Sequence, residues 1–153
     1  MEFDHTFSVA APIDAVWAMI ADIQRVAPCV PNTRVTARAG PDSHNVEITA
    51  AVGPFEITSE GTITLTERDD AAHREVLKVI ANDADGDQLA EAMLTIVLTE
   101  AAGTTDAAVH SSVELGGIGL FVSEEALDHV AGDMLRTFAS NLEGLLREAP
   151  EPA

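Results

Sequence analysis

The chain has 153 residues, 46% of them hydrophobic, and sets 26 acidic against 8 basic side chains for a formal net charge of −18. That size suits one domain, burying roughly 68 to 70% of the surface its unfolded chain exposes, and the hydrophobic fraction excludes a disordered polymer. Nucleic acid is excluded as a partner because neutralising phosphates takes clusters of Lys and Arg, and the apolar runs fall short of the roughly 20 residues of a membrane-spanning helix.

Glu2 to Val9 alternates Phe3, His5, Phe7 and Val9 with Glu2, Asp4, Thr6 and Ser8, the period of two of a half-buried strand. This opening shows no basic flank followed by an apolar stretch, so no secretion signal is read and a cytoplasmic address is expected. Pro12 suits a first helical turn, where its missing N–H would be unpaired anyway, and Val16, Met19, Ile20 and Ile23 form an apolar stripe. Asp22 predicts the start of a second short helix, which Pro28 and Pro31 end. Cys29, the single cysteine, excludes an internal disulfide and a structural cysteine zinc site. With no basic group beside it to lower its pKa, it reads as a packing residue rather than a nucleophile.

From Thr33 the pattern is a meander. Strands are predicted at Arg34 to Ala39, His44 to Val52, Phe55 to Thr66, His73 to Ala81, Gln88 to Leu98 and Thr104 to Leu115. Gly40-Pro41-Asp42, Gly53-Pro54, Arg68-Asp69-Asp70, Asn82 to Asp87 and Ala102-Gly103 separate them. Phe55, Ile57, Ser59, Gly61, Ile63 and Leu65 share one face by alternation, as do Leu94, Ile96 and Leu98, and Ala107, Val109, Ser111, Val113 and Leu115. Small residues on this face, Ser59, Gly61, Ala90, Ala92, Ala107 and Ser111, leave room for a cavity or let a helix approach closely. Ser123-Glu124-Glu125 reads as a helix start, and apolar residues from Ala126 to Leu146 keep helical spacing over about seven turns. Residues 1–148 thus form a single domain, and Ala149 to Ala153 begins a Pro/Ala-rich linker or tail.

No catalytic constellation or metal site is predicted. His5, His44, His73, His110 and His129 are scattered and read as surface residues. Gly117-Ile118-Gly119 lacks the later glycine and the βαβ setting of a dinucleotide fingerprint. The polar groups expected on the inner face are Ser59, Ser111, Thr105 and Glu91. An apolar pocket fits the inventory better: Phe55, Ile57, Ile63, Leu65, Leu94, Ile96, Val113, Phe121, Leu127, Met134 and Phe138 are the expected ligand-binding residues. Gly53, Pro54, Gly116 and Gly117 are the expected gate loops, and Met93 and Met134 the adaptable contacts. Phe55→Asp and Phe121→Asp are expected to abolish ligand retention without unfolding.

An ordered set of short features carries a family resemblance: Ala11-Pro12 with Val16-Trp17 and Asp22, Pro28-Cys29-Val30-Pro31, Val52-Gly53-Pro54-Phe55, Glu60-Gly61, Gly103-Thr104, and Gly116-Gly117 before the last helix. Over nearly its whole length the chain resembles the carbon monoxide dehydrogenase CoxG family, a branch of the SRPBCC (START/Bet v 1-like) helix-grip superfamily. The resemblance implies an α+β helix-grip fold: a seven-stranded antiparallel sheet wrapped round a long C-terminal helix, with two short helices after strand 1. It also implies a pocket opening between that helix and the loops Gly53 to Phe55, Asn82 to Asp87 and Gly116 to Phe121.

The function implied is that of a non-enzymatic accessory protein of a carbon monoxide dehydrogenase-type molybdenum hydroxylase. It would hold no covalent cofactor, bind a quinone (menaquinone-like) or other isoprenoid lipid, and link the enzyme to the membrane quinone pool. Membrane recruitment would use an additional C-terminal segment and place the protein at the inner face of the cell membrane. The quinone tail is expected in the cavity and its redox head near the Gly53 and Gly116 loops. The alternatives are a recruitment module with no ligand and a small enzyme of the polyketide cyclase or aromatase type.

Overall fold

The computed structural model describes residues 1–30, 33–52, 54–82, 86–116 and 123–148, except the side chains at 50–52, 55, 57 and 148. Strand β1 (Glu2–Val9) leads into helix α1 (Ile13–Ala21), helix α2 (Ile23–Val26) and a 3-10 turn (Ala27–Cys29). Six strands follow: β2 (Thr33–Gly40), β3 (Ser43–Val52), β4 (Phe55–Asp69), β5 (Arg74–Asn82), β6 (Gln88–Ala101) and β7 (Thr104–Leu115). Helix α3 (Glu124–Glu148) comes last among the described elements. The seven strands form one antiparallel sheet in the order β1-β7-β6-β5-β4-β3-β2, so β7 returns to pair with β1.

The Pro12 carbonyl accepts from Ala15 and Val16 N–H at 3.1 Å and starts α1. Asp22 caps α2, its Oδ1 accepting from the Arg25 N–H at 3.3 Å. Helix α2 ends at Val26, short of Pro28, as the prolines predict. Pro28 itself lies inside the 3-10 turn that follows, whose start tolerates a residue without an N–H.

Strand register sorts the side chains of the concave face into rows. Phe7, Ala107 and Leu98 form one row, and His5, Val109, Ile96, Glu75 and Arg68 the next. Beyond it lie Phe3, Ser111, Leu94, Leu77 and Leu65, then Val113, Ala92, Val79, Ile63 and His44. The core sits at the first-named end. There Val9, Leu98 and Ala107 of the sheet pack against Val16, Trp17 and Ile20 of α1 and Leu142 of α3. Val9, Val16 and Leu142 are fully buried. Asn141 Nδ2 donates to the Cys29 carbonyl at 2.9 Å and ties α3 to the 3-10 turn. Burial raises the Cys29 thiol pKa, as suits a packing residue.

One edge of the sheet is β2. Its pairing with β3 shifts register between Val35 and Ala37 and again between Arg38 and Gly40. Arg34 there meets Glu47 of β3 at 3.3 Å.

Candidate functional site

The concave face has two unequal halves. At the core end Leu98 and Val109 are each 3% exposed. In the two rows beyond Glu75, the inward apolar residues Leu65, Leu77, Leu94, Ile63 and Val79 are only half-buried. Leu127, Val130 and Met134 in the N-terminal half of α3 are half-buried too. Among the described residues α3 comes closest to β1, the 3-10 turn and β3, rather than to the middle strands β4 to β6. Large apolar side chains on an inward face gain little unless something covers them, so these rows, with α3 above, form the candidate site.

Small side chains keep the wall thin. Ala81, Ala90 and Ala92 lie on this face, beside Gly61. A Cβ on Gly61 would stand 2.1 Å from the Ile80 carbonyl oxygen, so glycine is what lets β4 and β5 approach here.

Of the residues expected to bind ligand, Ile63, Leu65, Leu94 and Val113 share the concave face in neighbouring rows. Leu127 and Met134 lie on α3. Ile96 and Phe138 pack against the core cluster, with Phe138 edge-on to Phe7 at 5.7 Å between ring centres. Phe121, Gly53 and Gly117, and the side chains of Phe55 and Ile57, lie outside the described residues. Pro54 is exposed just before β4, and Gly116 donates its N–H to the Leu89 carbonyl at 2.8 Å.

Of the polar groups expected on the concave face, Ser59, Ser111 and Thr105 lie there and are buried, and Glu91 does not. Glu91 faces away, in register with Ile80 and Glu114, and meets Lys78 at 3.1 Å on the convex side. Met93 shares that convex face, in register with Lys78 and Ser112. Thr105 Oγ1 donates to the Ala11 carbonyl at 2.8 Å and Ser59 Oγ to the Ile48 carbonyl at 3.4 Å, so both hydroxyls serve the backbone.

The histidines are not all on the surface. His44 is 7% exposed with its Nδ1 unpartnered, and His5 faces inward with Nε2 3.0 Å from Asp128 of α3. Glu75, absent from the expected set, is fully buried, and neither carboxylate oxygen has a hydrogen-bond partner among the described residues. Burial pushes its pKa up from 4.5 to about 7 against the opposing pull of the Arg68 charge. Extending the inward alternation of Leu77, Val79 and Ala81 back along β5 reaches Glu75, and that signal was available in the sequence.

An open depression of about 480 Å³ lies where the start of α3 crosses β1, lined by Glu2, Phe3, Asp4, Glu124, Glu125 and Asp128. Five carboxylates suit it poorly to an apolar ligand. Among the described residues no three His, Cys, Asp or Glu side chains converge to hold a metal ion.

The family model of the carbon monoxide dehydrogenase G-subunit (CoxG) matches residues 6–146. The chain belongs to the CoxG family. Similar solved structures include a conserved protein from Geobacillus kaustophilus, with a TM-score of 0.84, 16% identity and coverage of 97% of this chain and 96% of that one. A START superfamily protein from Mycobacterium smegmatis is similar at a TM-score of 0.64 and 15% identity, over 96% of this chain and 97% of that one. The Zhui aromatase/cyclase from Streptomyces sp. R1128 matches at 0.63 and 18%, over 96% and 93%. These likenesses show the START-like helix-grip fold. No curated protein sequence matches the chain. Among the described residues of this CoxG-family chain, no helix is long and apolar enough to cross a membrane.

Proposed function

We propose that this CoxG-family protein is a non-enzymatic carrier that binds a quinone or related isoprenoid lipid between its sheet and α3 and serves a carbon monoxide dehydrogenase-type molybdenum hydroxylase. The observation that carries the reading is the contrast along one face of the sheet. The core end is sealed around Leu98, while Leu94, Leu77 and Ile63 beyond it keep accessible apolar surface facing the helix. Each buried CH₂ contributes about 0.8 kcal/mol, so an isoprenoid tail on such a surface offsets much of its extraction from lipid. Family membership supports the choice of partner enzyme, and delivery to or from the membrane quinone pool follows from the ligand's lipid solubility.

Native mass spectrometry of gently purified protein, with solvent extraction of what is released, tests the reading. Stoichiometric quinone or isoprenoid lipid is the expected result. Protein that stays unliganded after incubation with a menaquinone analogue overturns it.

A second reading, a cyclase-type enzyme, is favoured by the buried Glu75 carboxyl on the concave face, a group able to exchange a proton near neutral pH. Turnover of a polyketide or aromatic substrate, lost in Glu75→Gln, would establish it in place of the carrier.

A further inference from the structure

We infer that Glu75 is the polar anchor of the ligand site: its carboxyl, at the boundary between the sealed core and the accessible rows, donates a hydrogen bond to a carbonyl oxygen of a quinone inserted head first, with the tail running along the rows of Leu94 and Ala92 away from the core. The inference rests on the carrier reading and reverses the orientation expected from the sequence, in which the head lay at the loops.

The placement carries it. Glu75 shares its row with Ile96 and Val109, one step before Leu77 and Leu94, whose surfaces stay partly accessible. It is fully buried, yet both oxygens lack partners among the described residues. A buried polar group without a partner is costly, so its place at the inner limit of the apolar rows points to a partner that arrives with the ligand as the half-buried Leu77 and Leu94 beside it give way, neither Glu75 oxygen being open in the unliganded protein.

The charged and titratable neighbours leave that role open. Arg68 on β4 shares its row, but turns its guanidinium to Asp70, at 2.8 Å from Nε, and to the Trp17 ring, at 4.5 Å from the ring centre. His73, near Asp14 of α1 at 4.0 Å, lies edge-on to Trp17. His5 at the far end of the row meets Asp128 of α3, and His44 lies on β3 beyond β4. From β6 the inward residues Leu94, Ile96 and Leu98 bring no charge. A neutral carboxyl has one donor and retains an acceptor, so it pairs with a quinone carbonyl and with the hydroxyl of the reduced form, whereas the carboxylate only accepts.

The test measures binding of 2-methyl-1,4-naphthoquinone bearing a two-isoprene tail, and of methylnaphthalene bearing the same tail. Wild type, Glu75→Gln and Glu75→Leu are compared at pH 6 and pH 8.5 after circular dichroism and melting establish that each is folded. Wild type is expected to bind the quinone about tenfold more weakly at pH 8.5, and the hydrocarbon equally at both. Glu75→Gln, still a donor, should bind the quinone without pH dependence, and Glu75→Leu should lose about tenfold for the quinone alone. Quinone binding that is equal in all three proteins and flat with pH overturns the anchor and leaves the carrier standing. Failure of wild type to bind either probe overturns both.

Discussion

Trp17 of α1 donates its indole N–H to Asp70 of the β4–β5 hairpin at 2.9 Å, and this one hydrogen bond spans 53 residues of sequence to fasten the first helix over the sheet. The same carboxylate accepts from Arg68, whose guanidinium lies over the indole. Trp17→Phe keeps most of the buried ring and loses the donor, so it should cost about 1 to 2 kcal/mol in urea unfolding. The Asp70 pKa is lowered, first by the Arg68 hydrogen bond and then by that of Trp17. Its contribution to stability is therefore present above the usual carboxylate range and lost as pH falls through the lowered value. An acid titration followed by the emission of Trp17 should show that phase, and Asp70→Asn should remove it.

Glu75 works in the opposite sense. Its folded pKa of about 7 lies above the ordinary 4.5, so between those values the folded state holds the proton that the unfolded state has released. Stability falls as pH rises through that window and levels off above it, by about 3 kcal/mol if the whole shift is expressed. Glu75→Gln should flatten the profile from pH 4.5 to 7 in denaturant titrations. An unchanged slope would mean that the carboxyl is ionised when folded.

Two glycines should respond in opposite directions. Gly61→Ala drives a Cβ into the Ile80 carbonyl, at 2.1 Å, and should cost about 2 to 3 kcal/mol as β4 and β5 part. At Gly144 on α3 an added methyl would meet nothing within 4 Å, so Gly144→Ala should gain up to about 1 kcal/mol of helix propensity. Thermal melts read both.

The two halves of the concave face should separate stability from ligand retention. Leu98→Ala opens the sealed core and should cost about 3 kcal/mol while leaving bound lipid in place. Ala92→Phe, between Val79 and Val113, fills the accessible half and should empty the protein of lipid with a stability change under about 1 kcal/mol. Lipid extraction beside calorimetry distinguishes them.

The strands were legible because clear turns separate them, and the inward sets on β4, β6 and β7 agree with the register. The strand containing Glu75 was harder to face from its sequence. Val76 and Leu77 are adjacent and apolar, so the alternation that reaches Glu75 is a weak signal, and a register shift between Leu65 and Glu67 of the neighbouring strand displaces the pairing there. His44 follows a turn, where polar residues are usually solvated, yet register sets it opposite Ile63 on the concave face. Charge misled in the same way at Glu91, because β6 carries half-buried residues on both faces and its alternation is diluted.

The irregular edge at β2 bears on how such a sheet avoids adding strands from its own copies. An open strand edge offers unpaired N–H and C=O groups to any passing strand, and a flat edge would template stacking. Two register shifts kink β2, and two of the chain's eight basic residues, Arg34 and Arg38, stand on it. A second copy approaching edge to edge would meet shifted register and two guanidinium groups, which opposes strand addition at this edge.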